Sequence, residues 1–481
     1  MTKVTLVHTS PKREVVKGDL YPRLNCVEGL GVAYLGAYLE KEGHEVQVIS
    51  EMDELGKDSF TRIVDSSPDV LGFYAMTSTF PRIIDYARRA KEVMKTRGRN
   101  LVTIVGGDHV SSNPLDSLPE GIDFGCKGEG EAVLSGFLQE LNSGDFFNVP
   151  GLIWKKDAEV QVNQPRQRIL SLDNLPFPKR DPELLKVTTV GMLMYPRLKD
   201  QVATASVLTA RGCPYSCEFC SSKDVWGNSV IYRSPQNVLR EIDQLKKTFG
   251  TNTLFIPDLT FNASSQRVFE LSKAIREANL GISGYVVMRL MSPNGKELVS
   301  YEMLNEMRSA GIRKIGFGVE SLAGAIQSGR VKKLELDYTK KVFEWCTDLG
   351  ILTKAFMMIG YPEETEGTLE ETTRNLKYIL PSEIRVSKLT PFPGTPLYKE
   401  VSAQGRLLTT DLSKYDTNNQ IIRLDGLSED QVRSASGNML RSYYNSQEYK
   451  ESVRRQITKH PELAGSYSEF FEFLKTRSIL R

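Results

Sequence analysis

Short apolar segments alternate with amphipathic ones along most of this 481-residue chain, in two series separated by a proline-rich stretch. In the first series, strand-like runs at residues 4–8, 45–49, 70–75, 101–105 and near Phe124 are interleaved with helical patterns at 30–42, 83–94 and 132–141. Strands that alternate with helices pack as a parallel sheet covered on both faces, so residues 1–145 are expected to form a doubly wound α/β domain. The second series has strand candidates at 206–210, 253–256, 285–289, 314–318, 355–359 and 384–389. Between the first two lies a helix whose Val238, Ile242, Leu245 and Phe249 share one face. Six such units predict a partial (β/α)6 barrel over residues 201–400, with reactive groups at the carboxyl ends of its strands. Residues 146–200 contain Leu175-Pro176-Phe177-Pro178 and read as an extended linker, because proline blocks helix and central strand alike. The remainder, 401–481, reads as a helical region in which Ser428 and Gln431 fit a capping box.

Charge excludes some partners. Lys plus Arg number 62 against 60 Asp plus Glu, so bulk charge favours neither nucleic acid nor an anionic membrane. No apolar run approaches the ~20 residues of a membrane span, and residues 1–10 read as a strand without a basic leader. The expectation is a soluble, cytoplasmic protein. Six cysteines stand at 26, 126, 213, 217, 220 and 346, and only the middle three are close together. In an intracellular chain such a trio points to a metal site, while the other three are expected to include buried core thiols.

The trio lies in Arg211-Gly212-Cys213-Pro214-Tyr215-Ser216-Cys217-Glu218-Phe219-Cys220, directly after the first barrel strand. Three thiolates at that spacing can wrap one side of a four-iron four-sulfur (4Fe-4S) cluster and leave the fourth iron open. The plainer alternative is structural zinc, which normally takes four ligands, and after the trio the next Cys is the distant Cys346 and the next His is His460.

Cys-x-x-x-Cys-x-x-Cys with Phe219 before its last cysteine resembles the radical S-adenosylmethionine superfamily. The resemblance continues through Asp258-Leu259-Thr260-Phe261-Asn262, Gly316-Phe317-Gly318-Val319-Glu320-Ser321, Met358-Ile359-Gly360-Tyr361-Pro362-Glu363-Glu364-Thr365 and Thr390-Pro391-Phe392-Pro393-Gly394-Thr395-Pro396. It implies that Cys213, Cys217 and Cys220 hold the cluster, whose open iron chelates S-adenosylmethionine for reductive cleavage to methionine and a 5′-deoxyadenosyl radical. It also implies a binding site for S-adenosylmethionine at Tyr215, Phe219, Asp258, Arg289, Glu320 and Ile359. Asp258 would orient the amino group, and Arg289 and Glu320 would take the carboxylate and ribose. A salt bridge at the barrel rim is the alternative for any of these three charges. Relatives often carry a second Asp where this chain has Leu259.

Three loops of the first domain sit where a doubly wound sheet binds ligands: Thr77-Ser78-Thr79, Gly106-Gly107-Asp108-His109-Val110-Ser111 and Lys127-Gly128-Glu129-Gly130-Glu131. None is a dinucleotide or phosphate-loop fingerprint. Placed before such a barrel, they resemble the Rossmann-like cobalamin-binding domain of the subgroup that uses both cofactors. That resemblance implies cobalamin contacts from Thr9, Ser10, Thr77, Ser78, Gly106, Gly107, His109, Val110, Gly128, Glu129 and Glu131. For His109 the alternative is a capped loop histidine, and His8 and His44 read as structural. The loop after the first strand begins Thr9-Ser10-Pro11-Lys12-Arg13-Glu14-Val15-Val16-Lys17-Gly18 and lacks the Asp-x-His-x-x-Gly histidine that ligates cobalt in mutases. A base-off corrin without a histidine from this loop is therefore expected.

The activity this implies is methylation of an unactivated carbon of a small molecule or natural product, with catalytic side chains left unassigned. An external one-electron reductant such as flavodoxin or ferredoxin is implied as a partner. Radical cyclisation or rearrangement is an alternative, since Leu427-Ser428-Glu429 and Tyr443-Tyr444 are weakly similar to the anaerobic cyclase of tetrapyrrole synthesis. A non-catalytic corrinoid and cluster-binding protein is another. The carboxyl edge of the first sheet is expected to face the mouth of the barrel, because both cofactors must reach one substrate atom.

Overall fold

The computed structural model describes residues 1–10, 28–51, 58–164, 168–182, 185, 204–329 and 333–480. Its first sheet has seven strands in the order β2-β1-β3-β4-β5-β6-β7. These are β1 (Lys3–His8), β2 (Glu45–Ser50), β3 (Val70–Tyr74), β4 (Val102–Gly106), β5 (Phe124–Cys126), β6 (Leu152–Lys156) and β7 (Glu159–Val162). The first five are parallel and doubly wound, as the alternation predicts. Side chains leave a strand on alternate faces, so β1 sends Val4 and Leu6 to one core and Val7 to the other. Helices α1 (Leu30–Lys41) and α5 (Glu131–Glu140) cover the first face, and α2 (Ser59–Ser66) and α3 (Phe80–Thr96) the second. A short α4 (Asp108–Ser112) follows β4.

The linker read from the prolines is shorter than expected at its amino end. Strands β6 and β7 form an antiparallel hairpin that extends the first sheet at its edge. Its two-residue turn, Asp157-Ala158, has both φ values positive, at 50° and 68°, the geometry that matches strand twist in tight hairpins. Pro150 precedes the hairpin, so it costs the ladder nothing. Beyond it the chain straps α1: Lys179 donates its backbone N–H to Ala33 O at 3.0 Å and its ammonium to Val46 O at 2.8 Å.

The second sheet has six parallel strands in the order β8-β11-β12-β13-β14-β15. They are β8 (Thr204–Ser206), β11 (Thr253–Ile256), β12 (Ser283–Met288), β13 (Ile312–Glu320), β14 (Leu352–Ile359) and β15 (Glu383–Lys388). The first predicted strand is divided. After β8 the chain leaves the sheet, and β9 (Ala210–Arg211) pairs antiparallel with β10 (Ile231–Tyr232), which frees the cysteine loop between them. Helix Pro235–Phe249 shows why such units form: Ser234 caps it through Asn237 N at 3.1 Å, proline opens it and left-handed Gly250 ends it.

Three carboxyl-terminal helices, Glu429–Tyr444, Gln447–Lys459 and Ala464–Thr476, close the amino end of the barrel. The first begins with the predicted capping box of Ser428 and Gln431. Tyr444 Oη accepts the Ile384 N–H at 2.8 Å, and Tyr449 donates to Ser382 O at 2.9 Å. Beneath them, buried Glu383 is paired with Lys314 at 2.7 Å and Lys354 at 2.9 Å. Among the described residues, no helix is long and apolar enough to cross a membrane.

Candidate functional site at the domain interface

The cysteine loop leaves β9 at the carboxyl side of the barrel, held by its own backbone. Gly212 has φ 107°, and a Cβ there would run into the Ser229 carbonyl, so the turn into Cys213 needs glycine. Cys213, Cys217 and Cys220 are free and partly exposed, whereas Cys126 and Cys346 are buried, as core thiols should be. Cys26 lies outside the described residues. Each loop sulfur has a polar neighbour: Thr260 Oγ1 lies 3.5 Å from Cys213, Arg289 Nη1 3.8 Å from Cys217 and Ser222 Oγ 3.1 Å from Cys220. Such groups stabilise sulfur that carries negative charge. Among the described residues, no three His, Cys, Asp or Glu side chains converge as a single-ion site requires. The three ligands of a cubane each take a different iron, so this loop suits a cluster.

Around the loop stand the predicted rim residues. Arg289 is buried, bonded through Nε to Met291 O at 2.6 Å, and its guanidinium lies 4.0 Å from the Tyr215 ring centroid. Phe219 packs with Tyr361 and Leu389 in one apolar cluster, and Ile359 is buried at the end of β14. Glu320 adopts φ 65° where β13 shifts register, a conformation rare for a residue with a side chain. Strain of that kind collects at functional sites. Asp258 is held in place from the cysteine side: its Oδ1 accepts Thr209 N at 2.8 Å and Ala210 N at 3.0 Å, while Oδ2 accepts the Thr209 hydroxyl. Burial raises its carboxyl to about 6 despite those bonds. Its oxygens therefore tie β11 to the start of the cysteine loop. Leu259 beside it is 45% exposed.

A cavity of about 800 Å³ of empty space, partly open to solvent, opens between the first sheet, α1 and α5. Leu6, Gly31, Gly72, Ile104, Gly106, Gly107, Gly128 and Leu134 give it a narrow, largely apolar lining. Glycine inside a strand marks close approach, and a Cβ on Gly72 would stand 2.7 Å from Leu6 Cδ2. At Gly107, φ is 106° and a Cβ would meet Ala75 O at 2.9 Å. Polar groups lie at the walls: Tyr74 Oη donates to Asp108 Oδ2 at 2.7 Å, and Arg211 bonds to Glu129 at 3.0 Å and Glu131 at 2.6 Å. A flat heteroaromatic group with an attached polar chain fits such a slot, as the nucleotide tail of cobalamin would.

Of the residues the sequence suggests for cobalamin, Gly106, Gly107, Gly128, Glu129 and Glu131 line this cavity. Thr9, Ser10, Thr77, Ser78, His109 and Val110 stand at the same sheet edge but not in its wall. Thr9 donates to Tyr74 O at 3.1 Å and Ser10 N to Glu51 at 3.1 Å. His109 Nδ1 is 3.3 Å from Thr77 Oγ1, and its ring is 4.4 Å from that of Phe80. Burial pushes its imidazole down to about 4, so it is neutral near pH 7. From Pro11 onward, the loop that lacks the cobalt-ligating histidine lies outside the described residues. Sequence reasoning missed Tyr74, Arg211 and Trp226 in the wall; mid-strand Gly72 was the available signal.

The two carboxyl edges face each other. Helix α4 rests on helix Ser222–Trp226, which follows the cysteine loop. The turn at Thr77–Thr79 meets Leu412–Lys414, and a Cβ on Gly394 would collide with Ser112 O. Two buried ionic groups weld the interface. One joins Arg211 to Glu129 and Glu131; the other joins Glu28, Arg180, Glu241 and Arg233 through contacts of 2.5 to 2.6 Å.

Comparison with known proteins agrees with this architecture. Residues 20–138 match the model of the B12 binding domain and residues 207–376 that of the radical SAM superfamily. An uncharacterized methyltransferase of Pyrococcus horikoshii is 27% identical over 421 residues, 86% of this chain and 87% of that one. The anaerobic magnesium-protoporphyrin IX monomethyl ester cyclase of Rubrivivax gelatinosus is 25% identical over 83% of this chain and 71% of its own. The solved structure of the radical S-adenosylmethionine methyltransferase TsrM from Kitasatospora setae shares the fold, with a TM-score of 0.70, 16% identity and coverage of 99% of this chain and 100% of that one. The chain thus carries a B12-binding domain ahead of a radical S-adenosylmethionine barrel.

Proposed function

We propose that the protein methylates an unactivated carbon of a small-molecule substrate held between the barrel mouth and the first sheet. The observation that carries this reading is the apposition of the cavity edge, at Gly107 and Gly128, with the cysteine loop through Arg211 and helix Ser222–Trp226. Bound there, the cluster with S-adenosylmethionine would supply a hydrogen-abstracting adenosyl radical and the corrin a methyl group. The chain's own residues then have distinct tasks. Cys213, Cys217 and Cys220 hold the cluster, while Arg289, stacked on Tyr215 beside Cys217, sets positive charge where the carboxylate of S-adenosylmethionine would lie. Glu320 and Ile359 line the same rim for its ribose and adenine. Glu364 accepts the N–H groups of Gly360 and Tyr361 and so fixes the turn that follows β14. Packing of α4 against helix Ser222–Trp226, and of its Ser112 against the Gly394 turn, keeps water from the space where a carbon radical would form. Electrons would come from an external one-electron donor of the flavodoxin or ferredoxin kind.

Similarity to the Rubrivivax cyclase keeps radical cyclisation as a second reading. Anaerobic turnover of the reconstituted protein, with product nucleosides quantified, separates the readings. Methylation forms 5′-deoxyadenosine and S-adenosylhomocysteine together. Formation of 5′-deoxyadenosine alone overturns methylation, and formation of neither overturns the enzymatic reading.

A further inference from the structure

Arg211 occupies an unusual position. It lies two residues before Cys213, yet its side chain crosses to the first domain and ends between Glu129 and Glu131 in the wall of the 800 Å³ cavity. On the far side of the loop, Val225 and Trp226 enter the same wall, six residues or fewer after Cys220. The guanidinium lies 5.6 Å from the Trp226 ring centroid and 5.3 Å from that of Tyr34 on α1. Arg168, from the strap between the domains, bonds to the Arg211 carbonyl at 3.1 Å and to Ser229 O at 2.6 Å. The cysteine loop is thus anchored at both ends in the surface that a ligand of the cavity would touch.

We infer that Arg211 is a positioning residue that couples occupancy of the tail cavity to the order of the cysteine loop, so that cobalamin binding and cluster geometry are linked. This rests on the cavity being the corrin tail site. A ligand that fills the slot packs against the Arg211 and Trp226 side chains and adds a contact at both ends of the loop; in an empty slot Arg211 keeps its carboxylates and the loop its Arg168 anchor, without that further contact. Linkage is reciprocal, so an ordered loop must in turn favour cobalamin, by an expected factor on the order of tenfold.

Amide hydrogen exchange of the reconstituted full chain, with and without saturating hydroxocobalamin, tests this. The expected result is a slowing of about fivefold or more at residues 212–226 on binding, in the range of ordinary linkage. Arg211→Gln should lose that slowing and bind hydroxocobalamin roughly tenfold more weakly. Arg211→Lys, which keeps the charge but cannot span both carboxylates, should recover part of each effect. Trp226→Leu alters the same wall at the far end of the loop without stranding a buried carboxylate, and should also reduce the slowing. Hydroxocobalamin that binds the natural protein with no change at residues 212–226 overturns the inference alone. A natural protein that binds no hydroxocobalamin overturns it together with the functional reading.

Discussion

Three sulfurs in one loop, each beside a polar group, make sharp demands on substitution. Replacing Cys213, Cys217 and Cys220 together by Ala removes every protein ligand of the cluster, so iron content and 5′-deoxyadenosine formation should both vanish. Replacing Cys126 and Cys346, buried in apolar packing, should leave bound iron unchanged. Retention of the full cluster by the triple variant would falsify the ligand assignment. Glu320 permits a test of strain. Both Glu320→Ala and Glu320→Gly lose the carboxylate, but only glycine relieves φ 65°, so urea titration should find the glycine variant more stable by about 1 kcal/mol. Equal stability would mean that the backbone holds no strain there. The sequence made the cysteines legible because their chemistry is local. It hid Arg211, whose partner Glu131 is 80 positions away, and it did not show that the Asp258 carboxylate accepts hydrogen bonds from Thr209 and Ala210.

At the scale of elements, the parallel strands were readable because burial on both faces leaves a nearly continuous apolar run, as in Val4-Thr5-Leu6-Val7. The β6–β7 hairpin was not, because its turn is Asp157-Ala158 rather than a glycine pair and its outer residues, Lys155 and Lys156, are charged. Lys314, Lys354 and Glu383 are charges on strands that are nonetheless interior. Burial opposes ionisation of Glu383, but the two lysines outweigh it and bring the carboxyl down to about 2. Burial, together with repulsion from Lys354, also lowers Lys314, to about 8, against the pull of Glu383. Two ammonium groups for one carboxylate reconcile the two directions: the carboxylate is held charged while one lysine is disfavoured. The stability from Glu383 is complete above the unfolded value of 4.5 and is lost as pH falls from there toward 2. Glu383→Gln should therefore cost about 3 to 5 kcal/mol at pH 7, with the difference from the natural protein shrinking below pH 4.5. A deficit that is constant down to pH 3 in urea titrations would contradict this account of the barrel floor.

For the whole molecule, the notable property is that two domains present their reactive edges to one another and are welded there by buried charge. Arg180 belongs to the strap and pairs with Glu28 of the first domain and Glu241 of the barrel, at 2.6 and 2.5 Å. Arg180→Ala takes the guanidinium from buried Glu28 and leaves Glu241 to Arg233 alone, so it should cost about 3 to 5 kcal/mol and split a single calorimetric unfolding transition into two. One undivided transition of unchanged midpoint would show that the domains are held by other contacts. If one chain brings cobalamin and the cluster to a common space, their unpaired spins must interact. The most direct test is the electron paramagnetic resonance spectrum of the anaerobically loaded protein, with cobalt as cob(II)alamin and the cluster first oxidised, then reduced. The expected result is about one cobalamin per chain, a base-off signal without nitrogen superhyperfine splitting, and dipolar broadening that appears when the cluster is reduced. A cob(II)alamin signal with nitrogen splitting and no response to cluster reduction would contradict it.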